Sequence, residues 1–211
     1  MKQQSRVVLY GAGGHGKVVA DALQHQGEFS IAGFLDDSVT GEVFGHPILG
    51  GKSVVASLVA QGITGAVVCL GDCTARAKVQ AFFEAATISM ITVIHPSASV
   101  ARGAVIGAGS MILAQAVVGP DATLGKGCIL NHGATVDHDC VLGDFVHVAP
   151  GANIAGGVRI GSGTHIGIGS SIKEGVMIGE RCVIGAGSAV VENVPDKALY
   201  YGVPAKLVRM L

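Results

Sequence analysis

The chain has 211 residues, of which 49% are hydrophobic and only 4% aromatic; it carries 33 glycines, no tryptophan and a formal charge of −1. So little charge, without a basic stripe, excludes a nucleic-acid partner held through phosphates, and the scarcity of rings excludes a core filled by large aromatics. The mean hydropathy is +0.55, but no run approaches the roughly eighteen apolar residues of a membrane span, so no membrane insertion is expected. Residues 1–17 have a positive flank without the apolar stretch of a signal peptide. The five cysteines form no CxxC pair, and a cytoplasmic protein with reduced thiols is expected.

Arg6–Tyr10 reads as a buried strand. The loop Gly11-Ala12-Gly13-Gly14-His15-Gly16 follows, then a helical pattern to about His25. A second strand, Ile31–Leu35, ends at Asp36-Asp37; residues 52–61 look helical, Gly65–Leu70 is a third strand and 73–86 a further helix. Strands alternating with helices imply a parallel α/β unit. A GxGxxG loop between strand and helix, with acids about twenty residues later, is the Rossmann context for holding phosphates on loop amides and a helix N-terminus. The unit is only about half a dinucleotide-binding fold, whose strands number roughly six. Three uses therefore stay open: a nucleotide diphosphate, NAD, or a tight turn alone. Cys69 and Cys73 carry no recognisable motif.

After Ile91–Ile94 the rhythm changes. Every sixth residue from Ile94 to Val190 is Ile, Val or Leu, seventeen positions without a gap. Four residues after each comes a small or β-branched side chain, Cys128, Cys140 and Cys182 among them, and Gly often follows the aliphatic residue. A period of six fits neither helix nor alternating strand. It fits a short strand and a corner, repeated: three sides close a triangular coil, and seventeen hexads make between five and six coils. The fold expected is an α/β Rossmann-like unit followed by an all-β left-handed parallel β-helix. Cysteines in the narrow inward column act as small hydrophobes.

Chemistry has to come from what departs from this pattern. His95, before Pro96, reads as a junction residue; His132 and His138 take the third position of their hexads, while His147 and His165 share the sixth, eighteen residues apart. None replaces a core aliphatic, so all four are expected to reach solvent or a subunit interface. A β-helix face is flat, so pockets arise between subunits, and three-sided coils suggest a homotrimer. The densest polar cluster is Asn131-His132-Gly133-Ala134-Thr135-Val136-Asp137-His138-Asp139. A histidine supported by a carboxylate can take the proton of an amine or hydroxyl during acyl transfer. Strand neighbours point to opposite faces, which opposes a His138–Asp139 contact, whereas a corner permits one. Catalytic residues and a solvated surface both fit.

With the glycine loop, the acid pair, the hexads and the closing Gly202-Val203-Pro204-Ala205-Lys206 in view, the chain resembles the bacterial sugar acetyltransferases of the sialic-acid O-acetyltransferase (NeuD)/PglD type. That resemblance implies a nucleotide-sugar-binding domain at 1–92, a β-helix acyltransferase domain at 93–195 and a C-terminal tail at 196–211. It implies acetyl-CoA as co-substrate, no metal, and a nucleotide-activated amino sugar as partner. By position, His138 resembles the general base and Asp139 the acid that orients it; His147 matches a contact to the acetyl end of coenzyme A. Gly156 matches an oxyanion-type amide, Ile168 and Ala186 the coenzyme A groove, though a member of that family has Gly where Ala186 stands. Asn131 matches an acceptor contact, and Gly11, Gly13, Gly14, His15, Asp36 and Asp37 match the nucleotide loop and acidic pair. The reaction implied is direct transfer to the 4-amino group of a nucleotide-linked 4-amino-4,6-dideoxy sugar. The rivals are a sialic-acid-type O-acetyltransferase, a γ-type carbonic anhydrase (whose His-x4-His pair differs from the five residues between His132 and His138) and a non-catalytic nucleotide-sensing scaffold.

Overall fold

In the computed structural model, which describes residues 4–211, β1 is Ser5–Tyr10. Val7, Val8 and Leu9 are wholly buried, as a strand covered on both faces requires. α1, Gly14–Gln26, buries Gly16, Val19, Ala20 and Leu23 on one stripe and stops at Gly27, whose φ of 75° makes a left-handed cap. β2 is Phe29–Leu35, β3 Glu42–Val43 and β4 His46–Pro47. A 3₁₀ turn, Lys52–Val54, runs into α2, Val55–Ala60. β5 is Gly65–Val68, α3 Cys73–Ala85 and β6 Ser89–Met90.

The four long-range partners form a parallel sheet in the order β2-β1-β5-β6. Strand order reverses at β1, which places a crevice between the C-terminal ends of β1 and β5. On one face of the sheet Val8, Tyr10, Leu35, Val55, Leu58, Val79 and Phe83 share a core. The strands and helices match the sequence expectation to within a few residues. The β3–β4 hairpin does not appear in that expectation, and its turn explains why. Phe44 and Gly45 both take positive φ, 52° and 75°, a geometry usually signalled by Asn-Gly rather than Phe-Gly.

The chain divides into two compact units, one ending at Pro96 and the other spanning Ser97–Leu211. From Val93–Ile94 to Ala189–Val190, two-residue strands recur once per hexad. In the second unit they stack into three parallel sheets. The first carries Met111–Ile112, Ile129–Leu130, His147–Val148, His165–Ile166 and Val183–Ile184. The second runs from Ser99–Val100 through Thr135–Val136 to Ala189–Val190, and the third from Val105–Ile106 through Val141–Leu142 to Met177–Ile178. The aliphatic ladder faces inward: Ile112, Leu130, Val148, Ile166 and Ile184 are all 0% exposed, each contributing about 1.5–3 kcal/mol by burial. In the small inward column, side chains also satisfy backbone. Ser110, Cys128, Cys140 and Thr164 donate to the carbonyls of Gly125, Gly143, Ala155 and Gly179, each fifteen residues on.

The corners follow one rule. Every sixth residue from Gly103 to Gly187 has positive φ, fifteen in succession. Ten of these are glycine, which alone takes that conformation without cost; the others are Gln115, Asp121, Asp139, Phe145 and Arg181. The stretch 196–211 continues the first sheet: Ala198–Gly202 pairs with Val183–Ile184, and Ala205–Met210 folds back antiparallel on it.

Candidate active site

In the α/β unit the loops converge at the C-terminal edge of the sheet. Gly11 (φ 110°) has no room for a side chain, since a Cβ would lie 3.0 Å from the Cys69 carbonyl oxygen, and its amide donates to Leu35 O at 2.8 Å. A Cβ on Gly16 would collide with the Gly11 carbonyl. Gly13 and Gly14 differ: a Cβ on either meets nothing within 4 Å, so their backbone is open to an approaching ligand. Gly13 is the N-cap of α1 without a side-chain cap bond, and the first turn holds no acid. Such a helix start attracts anions. His15 sits in that turn, half-buried.

The two acids behave differently. Asp36 accepts from the amides of Ala12 (3.0 Å), Ser38 (2.9 Å) and Val39 (3.1 Å). Burial pushes its carboxyl up, but these three bonds together leave it below the ordinary value. Asp36 thus ties the glycine loop to the loop after β2. Asp37 is held down to about 2, first by Lys52 Nζ and then by the Tyr10 hydroxyl, at 2.7 and 2.5 Å. Lys52 also lies 5.0 Å from the centre of the Tyr10 ring. Neither Tyr10 nor Lys52 stood out in the sequence, because residues 15 and 27 apart meet only through the tertiary fold.

In the β-helix, His138 lies at the corner between the second and third sheets. Its neighbour Asp139 occupies the left-handed slot, with φ 58°, where Asp is tolerated better than most residues. That turn brings the carboxylate back onto the ring: Asp139 Oδ2 is 2.8 Å from His138 Nδ1. The contact that alternation in a strand would forbid is therefore made. The carboxylate fixes the proton on Nδ1 and leaves the Nε2 lone pair available. The Asp139 bond, followed by the charge of Asp137, raises the His138 pKa above the ordinary histidine value. Eighteen residues on, Gly156 leaves space for the ring: a Cβ there would lie 2.5 Å from Cε1 and 2.6 Å from Nε2.

His147 occupies a different setting, on the first sheet, directly paired with Ile129 and His165. It is only 8% exposed, and Asn131 9%. Of the four histidines off the aliphatic ladder, His147 is the one that its own chain nearly walls in. The His165 ring packs on it edge to face at 4.8 Å. Asn131 Oδ1 accepts the His132 amide at 2.9 Å, which turns Nδ2 toward His147 Nε2 at 3.3 Å. In that orientation Nδ2 is the donor and His147 Nε2 the acceptor of this contact. Ile168 (55% exposed) and Ala186 lie at the corner between the first and second sheets, one above the other, with Gly187 N donating to Ile168 O. His132 lies at that same corner. One chain therefore groups His138 with Gly156, and His132 with Ile168 and Ala186, but does not bring the two groups together.

The remaining groups are quickly placed. All five cysteines are buried and unpaired with one another; Cys140, the nearest in sequence to His138, donates to Ala155 O, and burial pushes its thiol up. His95 packs its ring 5.1 Å from that of His25. Among the described residues no helix is long and apolar enough to cross a membrane.

A parallel sheet with a glycine loop, followed by hexapeptide coils with an imidazole–carboxylate corner, defines a hexapeptide-repeat transferase. Residues 6–82 match the model of the PglD N-terminal domain, and 103–138 and 157–191 the bacterial transferase hexapeptide repeats. The acetyltransferase domain of PglB from Neisseria gonorrhoeae is 36% identical, with 97% of this chain and 100% of that one covered at a TM-score of 0.94. PerB from Caulobacter crescentus, solved with CoA and GDP-perosamine, is 36% identical over 99% of each chain, also at 0.94. A UDP-N-acetylbacillosamine N-acetyltransferase of Bacillus subtilis is 33% identical over 110 residues, so the match spans about half of that protein, 51%. The chain belongs to the PglD-type sugar acetyltransferases.

Proposed function

We propose that this protein transfers the acetyl group of acetyl-CoA to the amino group of a nucleotide-linked 4-amino-4,6-dideoxy sugar, as a homotrimer, in the cytoplasm, during synthesis of a glycan or surface polysaccharide. The observation that carries the mechanism is the His138–Asp139 pair, 2.8 Å apart at an open corner. The neutral 4-amine attacks the thioester carbonyl, forming the C–N bond. His138 Nε2 takes the proton the nitrogen sheds, and Asp139 steadies the imidazolium. The C–S bond then breaks, and the proton passes from His138 to the departing CoA sulfur. The Gly156 amide serves the thioester oxygen. No covalent acyl-enzyme is invoked, since Cys140 is buried with its thiol turned to Ala155 O.

The other residues take roles by position. His147 meets the acetyl end of coenzyme A, Ile168 and Ala186 line its groove, and Asn131 helps to hold the acceptor. Gly11, Gly13, Gly14, His15, Asp36 and Asp37 serve the nucleotide, with Asp36 acting through the loops it ties. The trimer is supported by the corners: His138 is 58% exposed in one chain and lies one side of the coil away from Ile168. A neighbouring copy would complete the groove and exclude water. The PerB complex, with both CoA and GDP-perosamine bound, is consistent with direct transfer between two bound substrates. Against the carbonic anhydrase reading stands the spacing of five residues between His132 and His138, and a zinc assay on the purified protein tests it.

The test is a thiol-release assay with acetyl-CoA against UDP-, GDP- and dTDP-linked amino sugars beside free sialic acid. CoA release with a nucleotide-linked amino sugar, and an N-acetylated product, are expected. Release with sialic acid alone would favour the O-acetyltransferase reading and overturn this one.

A further inference from the structure

The largest wholly buried side chain among the described residues is charged. Arg76, in the first turn of α3, is 0% exposed. Its Nη1 donates to Leu70 O at 2.7 Å and Gly71 O at 3.0 Å. Burying a guanidinium is costly unless its donors are met. A helix that needed only to pack would carry an aliphatic residue there, as it does at Val79 on the same stripe.

The bonds reach back to the loop between β5 and α3, at the C-terminal edge of the sheet. That loop borders the glycine loop directly: Cys69 N donates to Tyr10 O at 2.7 Å, and the Cys69 carbonyl abuts Gly11. It therefore forms one wall of the crevice at which the strand order reverses. The N–H and C=O of a trans peptide point in opposite directions. Drawing the Gly71 carbonyl inward onto Arg76 turns the amide of Asp72, in the same peptide, outward. Asp72 anchors the far end of the turn by capping α3, its Oδ1 accepting from Ala75 N at 2.7 Å.

The geometry points to Arg76 as a positioning residue for the nucleotide part of the acceptor: from inside the α/β unit it aims the Asp72 amide of the β5–α3 loop at the nucleotide. This rests on the proposed nucleotide site in that unit, and the ligand class is a nucleoside diphosphate. The guanidinium itself stays buried and does not touch the ligand.

The experiment uses the full chain. Arg76→Lys keeps the charge but replaces the planar guanidinium with a shorter, flexible ammonium, which changes how far and in which direction the two carbonyls are drawn. The expected result is a KM for the nucleotide sugar raised about tenfold, with kcat and the KM for acetyl-CoA within about twofold of wild type. In wild-type protein, amide exchange at Asp72 should slow when UDP, GDP or dTDP is added, which needs no variant to fold. Should Arg76→Lys lower only the melting temperature and leave the nucleotide-sugar KM unchanged, Arg76 merely packs and the proposal falls alone. Unchanged exchange at Asp72 with a bound nucleotide also overturns it alone. Wild type that binds no nucleoside diphosphate overturns the nucleotide reading and this inference together.

Discussion

His138 and His147 lie nine residues apart in the same coil, yet the fold treats them in opposite ways. His138 projects from a corner, mostly exposed, with an acid on Nδ1. His147 lies on a sheet face, 8% exposed, with its Nε2 facing an amide and its ring against another imidazole. The difference comes from hexad position and from the side of the coil, since sixth-position residues on the other sheets, such as Asn153 and Met177, are exposed. A corner residue can be joined by its left-handed neighbour, whereas His147 meets His165 eighteen residues on and Asn131 sixteen before. The first setting suits proton transfer and the second suits shaping a binding surface. The same repeat thus supplies a base and a wall without any change of fold.

Substitutions can break that contrast, the largest effect first. His138→Ala removes the base and should lower kcat by about 10²–10⁴-fold while acetyl-CoA binding stays nearly intact; stopped-flow turnover beside calorimetric titration checks both halves. Near-normal turnover would remove His138 from the mechanism. Gly156→Ala leaves every group in place but drives a Cβ into the His138 ring. A displacement of about 1 Å should cost about 10²-fold in kcat. The melting temperature should move little, because Gly156 does not take positive φ. His147→Ala should act mainly on acetyl-CoA, raising its KM several-fold. It should also destabilise by about 1–3 kcal/mol, since Asn131 loses its partner inside the wall, measurable by denaturant titration. A loss of kcat as deep as that of His138→Ala would erase the distinction drawn here.

Much of the fold was legible because the hexad puts one residue type in each slot, so a gapless aliphatic column specifies the coil without tertiary information. The left-handed slot left a signal that the sequence reading did not use: glycine stands three residues after ten of the fifteen aliphatics from Val100 to Ile184. Asp139 falls in it, and that position, rather than alternation along a strand, decides the contact to His138. What stayed hidden depends on partners far apart in sequence. The Tyr10–Asp37–Lys52 cluster joins a strand end, a loop and a 3₁₀ turn. The β3–β4 hairpin hid behind Phe44 in a glycine-like conformation. Arg76 did leave a trace: a basic residue on the buried stripe with Cys73, Val79 and Phe83, where a charge has no reason to be unless it holds something.

The claim that His138 works as a base tuned by Asp139 is tested most directly by the pH dependence of kcat/KM in wild type and Asp139→Asn. Asn tolerates the left-handed slot and can still accept from Nδ1–H, so geometry is kept while the charge is lost. The base must be unprotonated, and Asp139 is the first cause of a pKa raised above the ordinary value of about 6.5. Activity of wild type should therefore rise with pH through an inflection above that value, and in Asp139→Asn the inflection should move to lower pH, with a lower plateau. An inflection that stays in place, or moves to higher pH, would contradict the pairing of these two residues as the catalytic unit.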